Sequence, residues 1–345
     1  MDQKTNIPEL LLRPAFSVEN GRITGINREA GKYLLEEGMA IAPLIAAGQE
    51  EYEAFEDGVL HLTLCIQEQT VSASVQHADQ GQLFILEQDH LDAHLQSMAL
   101  AAQELRVPLS GMMAAADRLA PGDEQLNRRM YQMLRMVSNM SDAARFAAHP
   151  SQQEYVDAAG LVQDIFDRAG QYVADAGLAL QVSVPSERIY TLADRELLER
   201  AIYNLLSNAL KFSPTGSTIR ATLAKQGNRL RLTVEDPGQG LESGLQSSLF
   251  SRYMRQPGLE DPRQGLGLGM VFVRLAAAAH GGTVLVDHPK DMGTRITLTL
   301  SIRHDKAIQA RSPVLRIDYT GERDHALVEL SDVLPAKLYK SENLL

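Results

Sequence analysis

Cysteine, aromatic residues, positive charge and long apolar runs are all scarce in this chain, and each scarcity excludes something. Cys65 is the single cysteine, so no internal disulfide can form, and a structural zinc site would have to be built from scattered histidines and carboxylates. That composition fits a reducing compartment. Against 33 Lys+Arg stand 44 Asp+Glu, a net charge of -11, which argues against a sequence-independent grip on nucleic acid. No stretch reaches the roughly 18 uncharged apolar residues of a membrane span. The opening MDQKTNIPELLLRP has no basic region followed by an apolar run, so no secretion signal is expected and a cytoplasmic location is. What is present suffices for folding: 345 residues, 44% of them hydrophobic, are a prior of two or three domains, each with a core.

Residues 14–88 read as a small α+β unit. In AFSVENGRITGIN the dipeptide Asn20-Gly21 marks a tight hairpin, REAGKYLLEEG a short helix ending at Gly38, and VLHLTLCIQ, QTVSASVQ and QLFILEQ three further strands, the last two joined around Asp79 to Gly81. This element order and the NGRI hairpin resemble a compact PAS domain; a unit used only for packing or dimerisation has the same pattern. Residues 89–148 are helical. Leu91, Leu95, Met98, Ala102, Leu105, Leu109, Met112, Ala116 and Leu119 follow a 4,3 spacing, and after Pro121-Gly122-Asp123 the spacing resumes through Leu126, Met130, Met133, Val137, Met140, Ala144 and Ala147. Two antiparallel seamed helices follow, and because one hairpin cannot bury both stripes, a homodimeric four-helix bundle is expected.

Residues 154–303 read as an α/β unit: a helix over YVDAAGLVQDIFDRAGQYVADAG, the strand LALQVSV, a helix over DRELLERAIYNLLSNALKFS, strands TIRATLA and RLRLTVED, a helix over GLGMVFVRLAAAAHG, and strands TVLVDH and RITLTLSI. That order implies helices on one face of a largely antiparallel sheet. In residues 304–345, SPVLRIDYTGERDHALVELSDVL reads as a hairpin about Thr320-Gly321, with no evident chemistry.

Three segments carry the candidate chemistry. Asn204 and Asn208 are four apart on one helix face, either solvated or sharing a ligand such as hydrated Mg²⁺ or phosphate; Lys211 and Phe212 follow one turn later. In RLRLTVED the alternation of Leu230, Leu232 and Val234 puts Asp236 on the buried face, where it either caps a turn or accepts a ligand's amino group, with Pro237-Gly238-Gln239-Gly240 opening the backbone beside it. Gln264-Gly265-Leu266-Gly267-Leu268-Gly269 directly precedes an apolar helix, an arrangement that suits an anion, but no GKS or GKT completes a P-loop.

Together, NLLSNALKF, DPGQG, QGLGLGM with AHGG, and MGTRITLTL closely resemble, in order, the Asn box and glycine boxes of the ATP-binding domain of sensor histidine kinases, the Bergerat-type ATPase fold. AQELRVPL, residues 102–109, is similar to the dimerisation and phosphoacceptor segment of that family. The resemblance covers roughly residues 14–303 and implies an α+β multidomain chain: a PAS-like domain, an antiparallel helical hairpin forming a dimeric four-helix bundle, and an α/β sandwich ATPase domain. It implies ATP and Mg²⁺ as cofactors, Asn208 as the Mg²⁺ ligand with Asn204 near the triphosphate, Lys211 on phosphate and Phe212 beside the nucleotide. It further implies Asp236 on the adenine amino group, room for the ring at Gly238 and Gly240, and Gly265, Gly267 and Thr294 near phosphates. Residues 241–264 would be the lid, in which Arg252 and Arg255 either meet phosphate or stay solvated. A response regulator or partner kinase is an implied partner.

One departure decides the expected mechanism. Where the family carries its phosphoacceptor His, this chain has Gln103, whose amide nitrogen is delocalised into the carbonyl and cannot attack phosphorus at a useful rate. His90 and His94 lie 13 and 9 residues upstream, about 20 and 14 Å along a helix, too far to substitute. Val107 stands where a Thr or Asn often orients the water of dephosphorylation. Arg263 and Pro237 are smaller departures that remove no ligand-binding group. The expectation is a nucleotide-binding signalling protein without autophosphorylation at position 103. The alternatives are a kinase, using the retained Glu104 and Asn204, whose acceptor is a His or Ser/Thr elsewhere, and a dimerisation module with a relict nucleotide site.

Overall fold

The structure, a computed structural model, describes residues 13–78, 81–87, 91–120, 122–148, 151–240, 268–289, 293–304 and 323–340. Strands β1 (Ala15–Glu19) and β2 (Arg22–Ile26) pair across Asn20 and Gly21, whose φ of 50° and 73° match the left-handed pair that a tight hairpin requires. α1 (Arg28–Gly31) is capped by the Asn27 side chain and is shorter than the sequence suggested, because the chain leaves the helix into a turn where Leu34 takes φ 53°. β3 (Ile45–Ala47) and α2 (Gln49–Glu53) precede a meander of β4 (Val59–Ile66), β5 (Gln69–His77) and β6 (Gln82–Leu86).

α3 (Leu91–Leu119) and α4 (Glu124–Ala148) form the antiparallel hairpin. The α3 seam is half filled and the α4 seam mostly covered. Ala102, Leu109 and Ala116 are buried on α3, as are Met130, Val137 and Ala144 on α4, whereas Leu105, Met112, Leu119 and Met133 are exposed. The side chains of Leu91 and Leu95 lie outside the described residues.

Next come β7 (Glu154–Asp157), α5 (Ala158–Val173), β8 (Ala179–Ser183), β9 (Tyr190–Ala193), α6 (Arg195–Phe212), β10 (Thr218–Gln226), β11 (Arg229–Asp236), α7 (Gly269–Ala279), β12 (Val284–Asp287) and β13 (Thr294–Ser301). The expected helix over Tyr155 to Asp157 is instead strand, paired with β9, and the helix begins only after Asp157, whose carboxylate accepts from Gly160 N. Asp194 caps α6 in the same way, accepting from Leu197 N at 3.1 Å.

The 14–88 and 154–303 units do not keep separate sheets. Among the described residues the order β2-β1-β6-β5-β4-β12-β13-β11-β10-β8 is continuous, with β4 antiparallel to β12 through Val59↔Val286, Leu60↔Leu285 and His61↔Val284. Two edge strands, each carrying a row of open backbone groups, satisfy one another. Val59 to Leu62 are buried on both faces, unlike a half-exposed strand, because α7 packs over this join. Buried Arg274 of α7 pairs with Glu87, and Arg229 with Glu51 at 3.1 Å, both across the join. His61 is fully buried there, and burial, with the neighbouring Arg274 charge, pushes its pKa well below 6.5.

The tail departs from its expected hairpin. α8 (His325–Glu329), capped by Asp324, stands where the second strand was expected, a 3-10 turn at Ala336–Leu338 follows it, and the turn about Thr320-Gly321 lies outside the described residues. The segment packs against α4, α5 and α6, with Ala326, Leu327, Val328, Leu330, Leu334 and Tyr339 wholly buried. The helical hairpin, the 154–303 unit and this segment share one core, and the sheet of the 14–88 unit covers a second.

Candidate functional site

The candidate site lies where the C-terminal turns of α6 meet the end of β11, the start of β13 and the first turn of α7. Alternation along β11 buries Leu230, Leu232, Val234 and Asp236, as its period requires. Asp236 is 6% exposed; its Oδ1 accepts from Gly238 N at 2.8 Å, and Thr294 N also donates to the carboxylate. Burial raises the Asp236 pKa from 3.8, opposed by these two N–H groups and by the nearby His288. Gly293 N donates to the Asp236 carbonyl at 3.1 Å, and any Cβ at Gly293 would collide with the Gly238 backbone, so this approach requires glycine. A Cβ at Gly238 would likewise meet the Phe212 carbonyl, which ties the end of α6 to the end of β11.

Along α6 the residues divide. Phe212 is 54% exposed at the rim, with Lys211 Nζ 5.0 Å from its ring centre, and Asn208 Nδ2 lies 3.5 Å from Met270 Sδ in the first turn of α7. Asn204 is 3% exposed and both ends of its amide are engaged. Nδ2 donates to the Arg200 carbonyl at 2.8 Å, and Oδ1 accepts from Arg135 Nη2 of α4 at 3.3 Å. Asn204 Oδ1 also rests against Gly269, the first residue of α7, leaving no space for a Cβ there.

The structure thus gathers Asn208, Lys211, Phe212, Asp236, Gly238 and Thr294, and turns Asn204 toward α4. Gly240 follows at φ 75°, close to His288, whose Nδ1 lies 2.9 Å from the Gly293 carbonyl oxygen. Gly265, Gly267, Arg252 and Arg255 lie outside the described residues. Gln103 and Glu104 are exposed on α3, outside this cluster.

Residues 193–304 match the family described as histidine kinase-, DNA gyrase B- and HSP90-like ATPases. The chain is 27% identical to the sensor protein KdpD of Clostridium acetobutylicum over 58% of its own length and 23% of KdpD. It is 26% identical to the adaptive-response sensory kinase SasA of a Synechococcus species, over 68% of this chain and 67% of SasA. Residues 193–304 are an ATPase domain of the sensor histidine kinase family. The fold agrees: full-length ShkA, crystallised with AMPPNP, superposes with a TM-score of 0.50 at 23% identity, over 61% of this chain and 47% of ShkA.

Three residues in or beside this histidine kinase-type domain carried no expected role. His288 follows β12 outside any motif, and Met270 closes the QGLGLGM segment without a role of its own. Arg135 lies on an α4 face that also carries Asn127, Ser138, Asn139 and Asp142, all buried polar residues. Polar residues at helical spacing opposite an apolar seam are equally the pattern of a solvated helix face, so nothing in the spacing marked α4 as covered on both sides. Among the described residues no helix is long and apolar enough to cross a membrane.

Proposed function

We propose that the protein is a histidine kinase-like signalling protein that binds Mg-ATP in residues 193–304 and does not phosphorylate itself at position 103. Asp236 carries the nucleotide reading. A carboxylate held on the buried face at the end of β11, with its pKa raised, is costly to the fold. An exocyclic amino group donating to it from an adenine offsets that cost. Phe212 offers an exposed ring to flank the base and Lys211 a cation for phosphate. Asn208 offers one amide oxygen, which suits Mg²⁺, an ion that takes few protein ligands and completes its shell with phosphate oxygens and water. ATP would supply the transferable phosphoryl group, and this chain's groups bind and orient it.

The acceptor is what is missing. Gln103 is exposed on α3, so its substitution for His answers no packing need, and its amide is no nucleophile. In this reading the exposed seam residues, Leu105, Met112 and Leu119 on α3 with Met133 on α4, meet those of a second copy, and the N-terminal unit is the PAS-like sensor. Titration of the full chain with a fluorescent ATP analogue and Mg²⁺ tests the site. Saturable binding that Asp236→Asn and Asn208→Ala both weaken at least about ten-fold, as expected for loss of a charge-assisted hydrogen bond or a metal ligand, supports it. No saturable binding at millimolar nucleotide would leave a dimerisation module with a relict pocket.

A further inference from the structure

The segment 323–340 lies beyond the matched ATPase region, and its acidic side chains meet Arg135 and Arg200, the former of which reaches Asn204. At its surface, α4 holds the backbone of the segment: Asn127 Nδ2 donates to the Tyr339 carbonyl at 2.9 Å, Arg128 Nη2 to that of Asp332 at 3.0 Å, and Gln132 Nε2 to that of Ser331 at 3.2 Å. Beneath these bonds is a buried ionic cluster. Arg135 Nη1 meets Asp332 Oδ2 at 2.6 Å, and its Nε lies 3.5 Å from Glu329 Oε2. Arg200 of α6 pairs with Asp142 of α4 and, through Nη1, with Glu329 Oε1 at 3.3 Å. The helical hairpin and the ATPase domain contribute two guanidinium groups, Arg135 and Arg200, but only one of the carboxylates, Asp142. The tail supplies the other two, Glu329 and Asp332. Without the segment, this contact between α4 and α6 would bury an excess of positive charge, which is strongly unfavourable.

Arg135 joins the two features. One guanidinium nitrogen, Nη1, is held by Asp332; the other, Nη2, reaches Asn204 Oδ1 and Ser207 Oγ, each at 3.3 Å. With Nδ2 committed to the Arg200 carbonyl, the Asn204 amide has no end turned to a ligand, although it touches Gly269 at the start of α7. A nucleotide or its metal ion that uses Asn204 must displace Arg135. We infer that residues 323–340 are an intramolecular latch: they fix the ATPase domain on α4 and hold Arg135, a positioning residue, so that it withdraws Asn204 from the nucleotide site. The inference rests on the nucleotide-binding reading. Latch closure and nucleotide binding then compete for one amide, and by linkage each weakens the other.

The test uses the full chain and the fluorescent ATP analogue with Mg²⁺, comparing the parent with Asp332→Asn, Arg135→Lys and Asp236→Asn. Asp332→Asn is isosteric at a partly exposed site and removes the charge that anchors Arg135. Arg135→Lys keeps a cation for Asp332 but loses the fork that reaches Asn204. Because apparent affinity scales with the fraction of molecules in the competent state, both latch variants should bind the analogue more tightly, by about three-fold or more. Their melting temperatures without nucleotide should stay level or fall. A merely structural clamp would give the same melting behaviour with unchanged or weaker binding. Unchanged or weaker binding in both latch variants, with Asp236→Asn impaired, overturns the latch and leaves the nucleotide site standing. Asp236→Asn binding as well as the parent overturns the nucleotide site, and the latch with it.

Discussion

Arg200 is the side chain on which the joint between the helical hairpin, the ATPase domain and the tail depends most. It is 0% exposed, donates to Asn139 Oδ1 at 2.9 Å, pairs with Asp142 and Glu329, and lies over the Phe272 ring at 5.4 Å. Arg200→Met keeps most of the volume and removes the charge. Deleting one partner of a buried ion pair costs about 3–5 kcal/mol, because the remaining charge stays in a low dielectric. Here each stranded carboxylate retains a second cation, Arg145 for Asp142 and Arg135 for Glu329, which places the loss near the lower end, about 3 kcal/mol. Urea unfolding followed by circular dichroism should show the midpoint falling by about 1 M or more at unchanged slope, given slopes of roughly 1–3 kcal/mol/M. Replacing Arg200, Asp142 and Glu329 together with Met, Leu and Leu should recover most of the loss, since apolar groups of similar volume carry no desolvation cost. A loss in Arg200→Met below about 1 kcal/mol, the range of solvated surface pairs, would refute the buried cluster.

Three further outcomes follow from the same geometry. Asp236 has a raised pKa, so the stability it contributes is present below 3.8 and lost as pH rises through the folded value; Asp236→Asn should therefore be at least as stable as the parent in urea at about pH 7 while its nucleotide binding falls. His61 has a depressed pKa, so its neutral form supports the β4–β12 join above 6.5 and stability is lost as pH falls below that value; His61→Gln should flatten the dependence of the urea midpoint between about pH 7.5 and 5.5. If the exposed seam residues meet a second copy, Leu105→Asp with Met112→Asp should convert a dimer into a monomer in sedimentation, and an unchanged sedimentation coefficient would remove the bundle reading.

How much of this was legible in the sequence depends on where the determining group lies. Asp236 could be placed because strand period is local and Leu230, Leu232 and Val234 set the phase. The hairpin helices could be placed because Ala102, Leu109 and Ala116, with Met130, Val137 and Ala144, keep their heptad spacing. The join of β4 to β12 had no signal, since edge strands pair through backbone groups that no side-chain pattern records. The tail misled because ALVELSDVL fits alternation and helical spacing alike, and the Asp324 cap decides for helix. Asn204 was read from its own helix; its actual partner, Arg135, is 69 residues away on α4.

The central claim is a nucleotide site without an acceptor on its own chain. Incubation of the full protein with Mg²⁺ and γ-labelled ATP, followed by acid and base treatment, tests it most directly. No acid-labile label should appear on this chain under conditions where the nucleotide analogue binds saturably. Acid-labile phosphate on this chain, abolished by Asn208→Ala, would contradict it.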